Sequence, residues 1–213
     1  MFRFVADPAA NAAGTTPAGW PDWAPIGSAL AHPAIRGRLG RWWVGPQDDP
    51  AALVAAFAAP RARLLLIPTQ DALDLVRRLG IWLDAPRLAG LIRRRDIDVV
   101  RTAIGDDGWD FATRRSGLLA RPGLALAEAV DRAVPMPDPI DVDCLLRRGA
   151  VALGLAIGLA PASALVRLRL RQPLEVWAML ADHCRTDAAG DDAWLAVRRL
   201  IRDRAPEWLT WLN

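Results

Sequence analysis

Along the chain, apolar residues recur at three- and four-residue steps in blocks of about ten, and most blocks are bounded by proline, glycine or aspartate. That pattern predicts a succession of short α-helices. The block that stands apart runs from Gly149 to Val166, GAVALGLAIGLAPASALV, with no charged side chain and arginines on both flanks. A bilayer-spanning helix needs about 20 predominantly apolar residues, so the run is long enough to raise a membrane reading. Three glycines, Pro161 and Ser163 interrupt it, and Leu159-Ala160-Pro161 reads as the end of one helix and the first turn of the next. We therefore expect a buried two-helix core around which the other helices pack. Gly154 and Gly158 would form a dimerising face in a bilayer; in a core they let a neighbouring helix approach closely.

The remaining blocks are ordered by their caps and stripes. Pro33 suits a helix through Ile35, Leu39, Trp42 and Trp43, and Asp49-Pro50 opens one through Leu53, Val54 and Phe57. Residues 61–67 form a short apolar piece. Thr69 is the expected N-cap of a helix with Leu73, Val76, Leu79 and Leu83 on one stripe, with Asp71 and Asp74 early and Arg77 and Arg78 late, the order that complements a helix dipole. Asp84 is expected to cap a helix carrying Leu88, Leu91 and Ile92 into Arg93-Arg94-Arg95. Asp96 is expected to cap another with Ile97, Val100 and Ile104 buried, ending in a Gly105–Gly108 turn. A helix starting at Trp109 and Phe111 follows, then one from Leu124 to Val134 with Glu128 and Asp131 exposed. Leu174, Trp177, Met179 and Leu180 mark a further helix. Trp194, Val197, Leu200 and Ile201 mark an amphipathic one whose Arg198, Arg199, Arg202 and Arg204 form a basic, solvated side. The closing Trp208, Leu209, Trp211 and Leu212 either fold back onto the core, as we expect, or face a partner.

Two stretches resist that reading. Residues 1–28 are expected to be extended or poorly ordered because 7–28 are rich in Ala, Gly, Pro and Thr without a periodic face, Trp20 and Trp23 being the anchors. Val166-Arg167-Leu168-Arg169-Leu170-Arg171 alternates as a strand would, but no partner strand is foreseen, and a helix continuing from Pro161 is expected. The fold class is accordingly all-α, a single compact domain of many short helices over 29–213, with a possible subdivision at the proline-rich 135–139.

Composition changes this picture little. The chain has 213 residues, 53% hydrophobic and 24% charged, so a sizeable core is expected. All 27 basic residues are arginine, against 24 acidic ones, for a net charge of +3. Because the acids are interleaved with the arginines, nucleic-acid binding is only the alternative reading. Two cysteines, Cys144 and Cys184, are read as buried thiols rather than a disulfide. Asp138, Asp141 and Asp143 resemble a cation cluster but lack the tight glycine turn, and acids at a helix start are favoured by the dipole alone. Neighbouring His183 and Cys184 point to different sides of a helix and cannot act as a pair. No GxSxG, HExxH, paired CxxC or phosphate-cradling loop is present, so no catalytic, cofactor or metal residue is assigned. With Asp7 and Pro8 breaking the only early apolar run, a cytoplasmic location is expected.

The stretch Leu75 to Leu119 carries a resemblance. Leu79-Gly80, the apolar helix after it, an arginine-rich turn, Ile104-Gly105 and an aromatic-containing helix ending in Leu118-Leu119 are similar to the SctK family of type III secretion proteins, which includes YscK, PscK, MxiK and OrgA. Leu168-Arg169-Leu170-Arg171-Gln172-Pro173 is similar to that family's Arg/Leu stretch before proline. The resemblance implies a non-catalytic, cytoplasmic adaptor at the cytoplasmic face of the inner membrane. Its partners would be the cytoplasmic domain of the ring protein SctD and the SctQ pods, and through SctL the ATPase SctN. No cofactor, small-molecule substrate or nucleic acid is implied. Candidate partner contacts, read from charge clustering, are Arg93, Arg94 and Arg95 at one turn and Arg198 and Arg202 on the late helix; the same arginines also fit plain solvated faces.

Overall fold

A computed structural model describes residues 57–119, 121–160, 165, 174–185 and 188–212. Expectations for 1–28, 35–43, 53–54 and 166–173 lie outside the described residues. Within them the fold is all-α: α1 (Thr69–Leu83), α2 (Ala85–Ala89), α3 (Arg94–Asp110), α4 (Leu124–Ala133), α5 (Val142–Ile157), α6 (Leu174–Asp182), α7 (Ala189–Arg204) and the short α8 (Leu209–Leu212). A 3-10 turn, Ala62–Leu66, precedes α1, and a π turn, Phe111–Arg115, continues α3.

Helix α5 is the axis of the molecule. Asp141 starts it, its side chain accepting the Asp143 backbone N–H at 3.0 Å, so an orphan donor of the first turn is satisfied. From Arg148 to Ile157 every residue is buried, the mark of a helix enclosed on all sides. Helices α1, α6, α7 and α4 supply the enclosure. Among the described residues no helix is long and apolar enough to cross a membrane.

Glycine sets how close two of these neighbours come. A Cβ at Gly149 would lie 1.9 Å from the Val76 carbonyl oxygen, and one at Gly80 would lie 1.9 Å from that of Leu145, so α1 and α5 cross with their backbones in contact. At Gly154 the same atom would lie 2.5 Å from the Leu180 carbonyl oxygen of α6. Gly158, expected beside Gly154 on a packing face, has another role: its φ of 69° is left-handed backbone that terminates α5.

The amphipathic expectations for α1 and α7 are met. Val76 and Leu79 are buried with Leu73 and Leu83 half-buried, and Val197, Leu200 and Ile201 are buried. Leu212 folds back into the core, joining a contiguous cluster that extends from Phe57 through Trp177. The expected caps fare differently. Thr69 is the first helical residue of α1, with Pro68 in the capping position, and Asp96 lies inside the first turn of α3 behind Arg93. The Gly105–Gly108 turn is a kink at Gly105 (φ 79°), beyond which the helix resumes and enters the π turn carrying the fully buried Phe111. Asp191 and Asp192 lie in the first turn of α7, where the dipole favours acids.

Candidate partner-binding cleft

The arginine-rich turn of the sequence becomes one wall of an open cleft. Pro86 near its start and Gly90 at its end limit α2 to a little over one turn, and Leu91, Ile92 and Arg93 then run non-helically to α3. Arg93 is the N-cap residue of α3 in an extended conformation and makes no side-chain cap bond; Arg94 and Arg95 open the helix. The facing wall is 136–140. Alternate prolines, Pro135, Pro137 and Pro139, keep this segment out of a helix, since each lacks a backbone donor and disfavours helical geometry before it.

Between these walls lies a volume of about 910 Å³. Leu91, Val100, Met136 and Ile140 give it an apolar floor packed against the core, and Val99 adds an apolar surface that is 58% exposed. Arg87, Arg93 and Arg95 reach its rim together with Asp96 and Asp138. Ile92 sits beside the rim, 91% exposed, an unusual place for a branched aliphatic side chain. Arg94 makes only a long ion pair with Asp98, 3.9 Å, and Arg87 pairs with Asp84 at 3.5 Å. Arg93 and Arg95 have no ion-pair partner among the described residues.

The other sequence candidates are placed elsewhere. Arg198 is half-buried on α7 with its guanidinium 5.8 Å from the Trp194 ring centre, and Arg202 is exposed on the same helix. Neither lines the cleft. The expected solvated basic side of α7 is also more engaged than its sequence implies. Arg204 donates to both carboxylate oxygens of Asp107 at 2.8 and 3.0 Å, and Arg78 of α1 pairs with the same carboxylate. Hydrogen bonding from Arg204, then from Arg78, holds the Asp107 carboxyl below the usual carboxylate range. Asp203 extends the cluster to Arg115 at 3.1 Å.

A second arginine cluster is internal, and pattern reading missed it. Arg148, one turn into the buried part of α5, donates from Nε to Asp84 Oδ2 at 2.6 Å, from Nη1 to the Val134 carbonyl at 2.6 Å and from Nη2 to Asp131 Oδ1 at 2.7 Å. Asp84 therefore does not cap α2 with its side chain, and Asp131, exposed as expected, is also a partner. Burial pushes the Asp84 carboxyl up, with Arg148 pulling against it. The one signal available was the arginine doublet Arg147-Arg148 directly before an uncharged run.

The groups weighed for chemistry have structural duties. Asp141 is shared between the α5 cap and Arg147 at 3.2 Å. His183 Nδ1 donates to the Met179 carbonyl at 2.8 Å. Cys144 and Cys184 are both free, and burial pushes the Cys184 thiol up to about 12, which keeps it protonated and unreactive at neutral pH. No family model matches the chain, and no curated protein or solved structure is significantly similar to it.

Proposed function

We propose that the protein is a non-catalytic helical adaptor of a bacterial type III secretion sorting platform, held at the cytoplasmic face of the inner membrane by its partners. The observation that carries the reading is the organisation of Leu75–Leu119, the stretch that resembles the SctK family. It folds as consecutive helices, α1 to the π turn, whose inner faces join the core while the α2–α3 connection offers arginines, two of them without an ion-pair partner among the described residues, and exposed aliphatic side chains beside a cleft. A scaffold whose rigid side is internal and whose open side mixes apolar and charged groups is suited to holding another protein. The partners named by the resemblance are the SctD cytoplasmic domain and SctQ, the latter leading through SctL to SctN.

The test is a pull-down of the purified full chain against SctD-type cytoplasmic domain and SctQ-type protein encoded by the same genome, at moderate and high salt. Stoichiometric, salt-tolerant binding to either is the expected result. Binding to neither, with nucleic acid co-purifying instead, overturns the adaptor reading in favour of an arginine-mediated nucleic-acid binder, whose retention would fall steeply with salt.

A further inference from the structure

We propose that the cleft between the α2–α3 connection and the proline-rich 136–140 wall is the docking site for an acidic protein segment that carries apolar anchor residues. This deepens the adaptor reading and rests on it. Two independent features of the cleft select that occupant.

The first is charge. Among the described residues Arg93 and Arg95 have no ion-pair partner at the rim, and Arg94 has only a 3.9 Å contact. All three cluster at the start of α3, where the helix dipole already contributes positive potential and normally favours acids. Asp96 offsets one of these charges. Three guanidiniums in that position are electrostatically unfavourable in the isolated chain, and a carboxylate from outside relieves them. The paired arginines elsewhere show the alternative that this chain uses repeatedly: Arg78, Arg115, Arg148 and Arg204 each hold an aspartate within the fold.

The second is the floor. Leu91, Val100, Met136 and Ile140 are aliphatic or thioether side chains, and about 910 Å³ leaves room for several side chains of a partner. An apolar centre with a mixed polar rim rich in Arg and Met is the anatomy of a protein interface. Nucleic acid fits it poorly. Single strands are held by aromatic stacking platforms, and among the described residues no aromatic side chain lines this cleft.

The experiment measures binding of whichever partner the pull-down retains, using the full chain and three variants whose folding is checked by circular dichroism and thermal melting. The charge-reversed pair Arg93→Glu with Arg95→Glu is expected to weaken binding about tenfold or more, chiefly through a slower association rate and a reduced salt dependence. Val99→Gln is expected to weaken it several-fold, and Arg121→Glu, at an exposed arginine outside the cleft, to change it by less than about twofold. Hydrogen-exchange protection on binding should appear over 91–100 and 136–140. Wild-type binding that survives the double reversal unchanged, or protection confined to other segments, overturns the cleft assignment and leaves the adaptor reading standing. A wild-type chain that binds neither partner overturns both.

Discussion

The two arginine–aspartate clusters use the same side chains in opposite environments. Arg148 and Asp84 are almost wholly enclosed, at 3% and 2% side-chain exposure, whereas Asp107 is 63% exposed between Arg78 and Arg204. Inside, desolvation outweighs the attraction of the partner and the Asp84 carboxyl rises. Outside, hydrogen bonding from Arg204 exceeds the opposing partial desolvation, Arg78 adds to it, and the Asp107 carboxyl falls. The pairing is the same, and burial decides its sign. The internal cluster joins α5 to the α1–α2 junction and α4; the external one joins the C-terminal ends of α3 and α7 to α1.

The largest effect expected from breaking this contrast is that of Arg148→Ala. It leaves buried Asp84 with only the longer, half-exposed Arg87 contact and the Val134 carbonyl without its donor, so a loss of about 3–5 kcal/mol is expected in urea unfolding. A loss below about 1 kcal/mol would show that the cluster is hydrated and the contrast with the surface unreal. Asp84→Asn should be far milder, about 1 kcal/mol, because the neutral side chain avoids the burial cost that raises the Asp84 carboxyl, while Arg148 keeps Asp131 and Val134. Equal losses from the two variants would contradict that order.

Asp107→Ala probes the outer cluster and is expected to cost about 0.2–1 kcal/mol at low salt. In about 1 M salt that cost should fade, since the Debye length shrinks to roughly 3 Å, while the Arg148→Ala loss persists. A salt-independent Asp107 effect would place that carboxylate in a less solvated setting than its exposure shows.

The smallest effect is the pH dependence, and the two clusters carry opposite signs. Asp107 has a lowered carboxyl pKa in the folded chain, so its contribution is present above the ordinary carboxylate range and lost as pH falls through the lowered value. The stability gap between wild type and Asp107→Asn should therefore close below about pH 4. Asp84 has a raised one, so its contribution is complete below the ordinary range and declines as pH rises through the raised value. Thermal melts of the two Asn variants between acid and neutral pH should diverge from wild type in opposite directions; parallel curves would remove the distinction.

Much of the helical order was legible from local pattern. The apolar spacing in α1 and α7 and the uncharged run of α5 each depend on residues a few positions apart, which is the range over which helical periodicity acts. Capping was read less well, because Thr69 and Asp96 have the right chemistry but lie one and three residues past the N-cap, and Asp84 holds the N-cap position without a side-chain cap bond. At Asp84 the competing partner lies 64 residues away, and no local rule weighs Arg148 against a backbone N–H. The cleft was half visible: Arg93–Arg95 and the prolines of 135–139 each stood out, but nothing in the chain said that they face each other.

The sequence by itself determined that this is a helical protein, which faces of α1 and α7 are buried, and that Gly149 to Val166 is its longest uncharged run, of which Gly149 to Ile157 is enclosed. Those properties follow from side-chain polarity at fixed spacing, and each helix carries its own record of them. Only the tertiary structure decided which of many similar arginines are free. A guanidinium pairs with any carboxylate within reach, and reach is set by helix crossings such as Gly80 against Gly149, which bring together residues 29, 64 or 97 positions apart. That is why Arg148, Arg78 and Arg204 are spent inside the fold, while Arg93 and Arg95 remain at the rim of the cleft.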